Sequence, residues 1–244
     1  MPLCDPAPGR IVRCSLIQQE TRLIEAQESS RALFVLAGAI VIDDGGTSWV
    51  APAGHALAMV PGRALRITAV RTSDIGVTTV GDRGGVDCRL FRISPLLAAI
   101  VLHDDLEALG QHGRTLLLNE MRRAEPADHR VRMPDDLRAR RVAQALVDDP
   151  ADPRSLENFA NQAGASRRTL LRLFVAQTGL SFRQFRRQVR IYRSLAMLAE
   201  GAAISDAALA VGYESTPAFI AAFRAVLGHT PGHHPKTPGP PLFR

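Results

Sequence analysis

The 244-residue sequence holds one lysine, Lys236, and only three cysteines. Cys4, Cys14 and Cys88 are odd in number and lack metal-ligand spacing, which points to free thiols in a reducing compartment, with a redox sensor as the lesser reading. No stretch approaches the roughly 18 uncharged apolar residues that a membrane span needs, so no membrane partner is expected. The opening run "MPLCDPAPGRIVRC" lacks the apolar core of a secretory signal, and a cytoplasmic location is expected. A phosphate loop, a nucleophile elbow, paired cysteines and a metal-binding histidine pair are all missing. The carboxylate pairs Asp104–Asp105, Asp135–Asp136 and Asp148–Asp149 fall near predicted helix starts or linkers, where charge at a helix start or plain solvation accounts for them. No catalytic residue, cofactor or metal is expected.

Acids are scarce in one part of the chain. Residues 1–150 are nearly neutral, whereas residues 151–244 carry twelve basic against five acidic side chains. The whole net charge of +6 therefore comes from the last two-fifths. Such an imbalance addresses polyanions, nucleic acid first and an anionic membrane second. An arginine-rich composition explains arginine over lysine. It does not explain a shortage of acids confined to one region.

From Ile11 to about Ile93 the text is strand-like. Short apolar runs such as "ALFVLAG", "AIVI", "HALAMV" and "ALRITAV" are separated by turn residues, among them "DDGG" and "PAG". This predicts an antiparallel β sandwich or small barrel. From Ser94 the period becomes helical: "SPLLAAIVLHDDLEALG" and "RTLLLNEMRRA" read as two amphipathic helices, with Pro95 near the first start. "EPADHRVRMPDD" reads as a linker, and helices continue to about Leu227. The fold class is α+β, a β domain followed by an all-α domain. The domain reading is 10–94, 95–134 for helices and linker, 135–234 for the helical domain, and a disordered tail at 235–244.

The helical part contains a repeat. Ala160, Gly164, Ser166, Leu170, Phe174 and Gly179 recur as Ala208, Gly212, Ser215, Phe219, Phe223 and Gly228, offset by 48 residues before the turn and 49 after it. Each copy reads as a short helix, a glycine turn, a serine cap and a second helix, which is the helix-turn-helix unit. In the second helix of the first copy, Leu170, Leu173 and Phe174 form the inward face. Arg168, Leu171, Arg172 and Val175 form the neighbouring face, and Arg167 lies in the exposed first turn. Arginine there can bond guanine O6 and N7 together, and leucine can touch a thymine methyl. An Arg cluster is more often a solvated face, but a glycine turn, a serine cap and duplication favour double-stranded DNA as partner.

Between the copies, Ser181 and Gln184 form a capping box and Gly201 stops the helix. Phe182, Phe185, Val189, Tyr192, Ala196 and Ala199 draw an apolar stripe, while Arg183, Arg186, Arg187, Arg190 and Arg193 take the other side, with no acid before Glu200. Nineteen helical residues span about 28 Å, close to the roughly 34 Å between successive major grooves on one face of DNA. Arg183, Arg186, Arg187 and Arg190 are expected to track phosphates, together with the hydroxyls of Ser166, Ser215 and Thr230. The second copy shows Thr216, Pro217, Ala218 and Ala221 on its reading face. Without a charged base reader it is expected mainly to position, through its helix N-terminus and the hydroxyls of Ser215 or Thr216.

The run from "SLENFANQAGASRRTLLRLF" to "TPGHH", with "GYES" and "AAFRAVLG" as markers, resembles the AraC/XylS family of bacterial transcription regulators. The resemblance covers Asp148 to about His234. It implies a seven-helix DNA-binding domain with two helix-turn-helix units joined by a long helix. Arg168, Leu171 and Arg172 match base-facing places of the first recognition helix. Thr216, Pro217 and Ala221 match those of the second, where many members carry polar residues. The N-terminal half looks like the cupin-type sensor domain of such regulators. It implies a small-molecule effector or protein partner, dimerisation through the helices from Pro95 to Arg123, and contact with RNA polymerase. Where members with a metal-like histidine set carry imidazoles, this sequence has Glu25, Gln27 and Ser30, so no metal is expected. His55, His103 and His112 read as surface or core histidines.

Two other readings remain open on the sequence alone. One is a metal-independent cupin-like enzyme, or a small-molecule-binding protein, with an accessory DNA-binding module. The other is an adaptor whose basic helices bind an acidic protein.

Overall fold

Alternating side chains and glycine turns give nine strands between Ile11 and Arg92 in a computed structural model that describes residues 10–81, 88–102, 110–127 and 129–233. Cys4, His103, Asp104, Asp105 and the tail 235–244 lie outside the described residues. Contacts divide the chain into two units. Residues 10–44 and 49–129 belong to the first; residues 45–48 and 130–233 belong to the second.

The strands of the first unit are β1 (Ile11–Leu16), β2 (Thr21–Ile24), β3 (Ser30–Ala37), β4 (Ala39–Asp43), β5 (Thr47–Pro52), β6 (His55–Met59), β7 (Leu65–Ala69), β8 (Ser73–Gly81) and β9 (Arg89–Arg92). They form two sheets. One runs β1-β8-β3-β6-β9, and within this unit the other runs β5-β4-β7-β2. The pairs are antiparallel, with Leu33 opposite Leu57 and Val77, and Ile42 opposite Ile67.

"ALFVLAG" is apolar throughout because both faces of β3 are covered. Leu33 and Val35 point into one core with Ile40, Ile42, Trp49, Leu57, Ile67 and Val77. Ala32 and Phe34 point the other way, into a second core with Phe91, Leu97, Val101, Leu117 and Met121. That second core is closed by two helices, α1 (Pro95–Leu102) and α2 (Gly110–Arg123). Arginines of the two edge strands secure them. Arg13 Nη2 donates to the carbonyls of Val101 and Leu102 in the last described turn of α1, at 3.2 and 2.8 Å. Arg89 Nη2 donates to those of Met121 and Arg122 near the end of α2, at 2.6 and 3.1 Å. Near the end of α2 a cation is favoured by the unpaired carbonyls of the helix end.

The helix limits differ from the sequence reading. α2 already includes Gly110, ahead of the expected start at Arg114, and α1 is described as far as Leu102. The stretch read as a linker contains β10 (Arg130–Arg132), with Val131 and Met133 buried.

The second unit is built from α3 (Leu137–Asp148), α4 (Leu156–Ala163), α5 (Arg167–Thr178), α6 (Phe182–Ala199), α7 (Ile204–Ala210) and α8 (Thr216–Leu227). A single 3-10 turn follows at Pro231–His233. Within this unit the described residues hold six α-helices and a 3-10 turn. Phenylalanines make the core around α4, α5 and α6: the ring of Phe174 stands edge-on to Phe182 at 5.4 Å and to Phe185 at 5.2 Å.

Candidate nucleic-acid interface

Both copies of the repeat fold alike. In the first, α4 ends at Gly164, whose φ of 65° is the left-handed conformation that glycine adopts without strain. That turn lets the Ala165 N–H return to the Ala160 carbonyl at 3.0 Å. In the second copy the Tyr213 N–H returns to the Ala208 carbonyl at 2.9 Å. Ala160 and Ala208 are both buried, so the crossing helices meet at a methyl group in each copy. The serines then cap. Ser166 Oγ accepts from the Thr169 N–H at 3.1 Å, and Ser215 Oγ from the Ala218 N–H at 3.4 Å.

α5 is anchored on one side only. Leu170 and Phe174 are fully buried, whereas Leu171 is 37% and Val175 54% exposed. Arg167, Arg168 and Arg172 are exposed with them. Three guanidiniums and two apolar side chains therefore project from one helix, held by an inner face that none of them belongs to. Ser166 is exposed at its start.

The arginines of α6 divide into two kinds. The capping box is present, with the Ser181 N–H donating to Gln184 Oε1 at 2.8 Å and the Gln184 N–H to Ser181 Oγ at 3.3 Å. Arg183 is exposed. Arg186 is half-buried: it donates to the Arg154 carbonyl and its guanidinium carbon lies 5.6 Å from the Phe159 ring centre and 4.9 Å from that of Phe182. Burial lowers its pKa, and the neighbouring Arg190 lowers it further. Arg190 donates to the carbonyls of Pro150 and Gly212, both at 2.9 Å, and lies over the Tyr213 ring. Arg187 and Arg193 are half-buried, and burial lowers the Arg193 pKa against the pull of Asp148 and Asp149. Partner groups 22 to 40 residues away in the chain take up Arg186 and Arg190. The sequence held no local sign of them.

On α8, Pro217, Ala218 and Ala221 are exposed and Thr216 is half-buried. Thr230 is half-buried, and its hydroxyl lies 2.9 Å from His233 Nδ1. One cation of this face escaped the sequence reading. Arg224 is exposed and lies two helical turns beyond Pro217, so the i, i+4, i+7 spacing of Pro217, Ala221 and Arg224 was the available signal.

In the first unit, Glu25 is exposed, Gln27 half-buried and Ser30 buried at the start of β3. His112 is exposed. His55 is buried, with its ring centre 5.2 Å from that of His129. No group of three or more His, Cys, Asp or Glu side chains is placed to hold a metal ion among the described residues. No helix among them is long and apolar enough to cross a membrane.

Known proteins match this architecture unevenly. A family model described as a helix-turn-helix domain matches residues 159–236. The HTH-type transcriptional regulator RipA of Corynebacterium glutamicum is 39% identical over 124 residues, covering 46% of this chain and 38% of that protein. A putative AraC-like transcription regulator of Streptomyces antibioticus is 37% identical over 103 residues, covering 41% of this chain and 34% of the relative. The HTH-type transcriptional regulator NimR of Escherichia coli K12 is 25% identical over 232 residues, which takes in 88% of this chain and 82% of NimR. The chain thus spans well under half of the first two relatives, and the family model covers the doubled turn, the Ser166 and Ser215 caps and the exposed arginines of α5. Residues 159–236 thus match a helix-turn-helix domain, and part of the chain is similar to AraC-like transcription regulators.

Proposed function

We propose that this chain regulates transcription by binding a specific duplex sequence, with α5 in the major groove as the principal base reader. The observation that carries the reading is the split surface of α5: Leu170 and Phe174 hold the helix while Arg167, Arg168, Leu171 and Arg172 face outward. A guanidinium on a groove-facing helix bonds guanine O6 and N7 with two parallel hydrogen bonds, and Leu171 packs on a thymine methyl. α6, of 18 residues and about 27 Å, sets the stride between the two copies. Arg183, exposed at its start, contacts phosphate, as do Ser166 and Ser215 at the helix N-termini. Arg187 adds to the positive field, while Arg186 and Arg190 reach phosphate only by releasing the carbonyls they hold. The second copy places Thr216, Pro217 and Ala221 toward the bases and mainly positions the unit, with Thr230 beside them.

The first unit is the regulatory part, responding to a small molecule or a protein partner. A homodimer is the working assembly, supported by Leu96 on α1 and Leu116 on α2, which are 47% and 40% exposed. RNA polymerase is the further partner in this scheme. The test is selection from random-sequence duplexes by the purified chain, followed by a footprint on the enriched site with competitor DNA. A short protected site whose affinity falls steeply with salt is expected. Equal binding to all duplexes would remove the sequence-reading role.

A further inference from the structure

The major groove offers a protein one kind of apolar group, the C5 methyl of thymine. The other features of its base edges are hydrogen-bond donors and acceptors. A groove-facing helix surface of small apolar side chains therefore has a single complement on a duplex. α8 presents such a surface. Pro217, Ala218, Ala221 and Ala225 are exposed, at spacings of one, four and eight residues from the first, which sets them along one side of the helix. Pro217, Ile220, Ala221, Arg224, Ala225 and Thr230 line an open groove of about 720 Å³.

Charge decides what covers this groove. Arg224 is exposed within it, and Glu214 is the single acid from Gly212 to Gly228. The surrounding region carries twelve basic against five acidic side chains. A partner must therefore bring negative charge and small apolar groups together. Duplex DNA with thymine in the groove does both.

We propose that α8 selects thymine through its methyl group at the positions facing Pro217 and Ala221, with Arg224 on the adjoining phosphate. This rests on the DNA-binding reading of the unit and gives the second copy a sequence preference of its own. Alanine suits the task, because its side chain ends at Cβ and allows the helix to approach the base edge. The two copies then read different chemistry: guanine by the arginines of α5, thymine by the alanines of α8. The preferred site is a guanine-bearing block about 34 Å from a thymine-bearing one.

The experiment uses the full chain and synthetic DNA. Duplexes are selected from a random library, and each thymine of the enriched site is then replaced by deoxyuridine, which keeps the pairing and removes only the methyl. Affinity should fall about fourfold for each methyl that was buried, in the block under α8. Ala221→Asn should abolish the distinction between thymine and uracil there while the guanine block stays protected, with only the small fall in thermal midpoint that asparagine's lower helix propensity brings. An enriched site with both blocks protected, in which every thymine under α8 tolerates uracil, overturns this proposal and leaves sequence-specific binding standing. A footprint confined to the α5 block also overturns it and turns the α8 face into a protein-docking surface. Failure to enrich any sequence removes the DNA reading and this proposal together.

Discussion

Arg190 clasps the turn of the second helix-turn-helix, its Nη1 donating to the Gly212 carbonyl at 2.9 Å. The same guanidinium reaches the Pro150 carbonyl from Nε, so one side chain of α6 ties two loops of the unit together. Gly212 has φ 84°, and a Cβ there would lie 2.8 Å from Arg190 Nη2 and 2.9 Å from Ala151 Cα. Arg190→Ala should destabilise the unit by about 1.5–3 kcal/mol, the range for hydrogen bonds to a charged group. Gly212→Ala should cost about 1–3 kcal/mol through its backbone conformation alone. Urea unfolding of each variant checks both values. A loss in DNA affinity with no loss of stability would show that Arg190 leaves its carbonyls to meet phosphate.

Arg172 and Arg183 should fail differently. Arg172→Ala should cost about 1–3 kcal/mol of binding and relax one base position, as expected for a base reader. Arg183→Ala should weaken all sequences alike and reduce the salt slope by about 1. Titrations of a selected site and a scrambled duplex at several salt concentrations separate the two.

The capping box at the start of α6 also has a measurable worth. Ser181→Ala removes the acceptor of the Gln184 N–H and should cost about 1 kcal/mol. Ser181→Asp should restore most of it, because a carboxylate at a helix start can accept the same bond. Thermal melts of the three proteins suffice.

Asp136 caps α3 and pairs with Arg138, and the hydrogen bond from the Arg138 side chain leads the causes that lower its pKa from the ordinary 3.8 to about 2. A carboxyl whose folded pKa lies below its unfolded value stabilises the fold above the unfolded pKa. That contribution disappears as pH falls toward the folded one. The urea midpoint should therefore drop between pH 3.8 and about 2. Asp136→Asn should lower the midpoint at neutral pH, and the gap between variant and parent should close over that window. A gap that stays constant to pH 2 would remove the titration from the account.

What the sequence disclosed follows the range of the interactions involved. The doubled turn was readable because its causes are local: a left-handed glycine, a serine cap three residues before its donor, and apolar spacing of three and four. The exposed place of Arg168 and Arg172 followed from the same spacing, since Leu170 and Phe174 define the opposite side. By contrast, five arginines of α6 look alike along the helix, and only tertiary packing distinguishes Arg183 in solvent from Arg190 on two distant carbonyls. The mooring of α1 and α2 was hidden for a related reason. Their apolar spacing shows amphipathic character, but their mooring to Arg13 and Arg89 comes from strands far away in the chain.

Because the outward residues of α5 carry none of the helix's anchoring, this segment can change its target without loosening its seat. If α5 is the base reader proposed above, replacing Arg167, Arg168, Leu171 or Arg172 should alter what is recognised, whereas Leu170, Phe174 and the Gly164 turn keep the scaffold. On that reading a lineage, or an engineer, could change the preferred site one position at a time with little risk of unfolding. The burden of keeping the protein intact falls on residues that never touch the target.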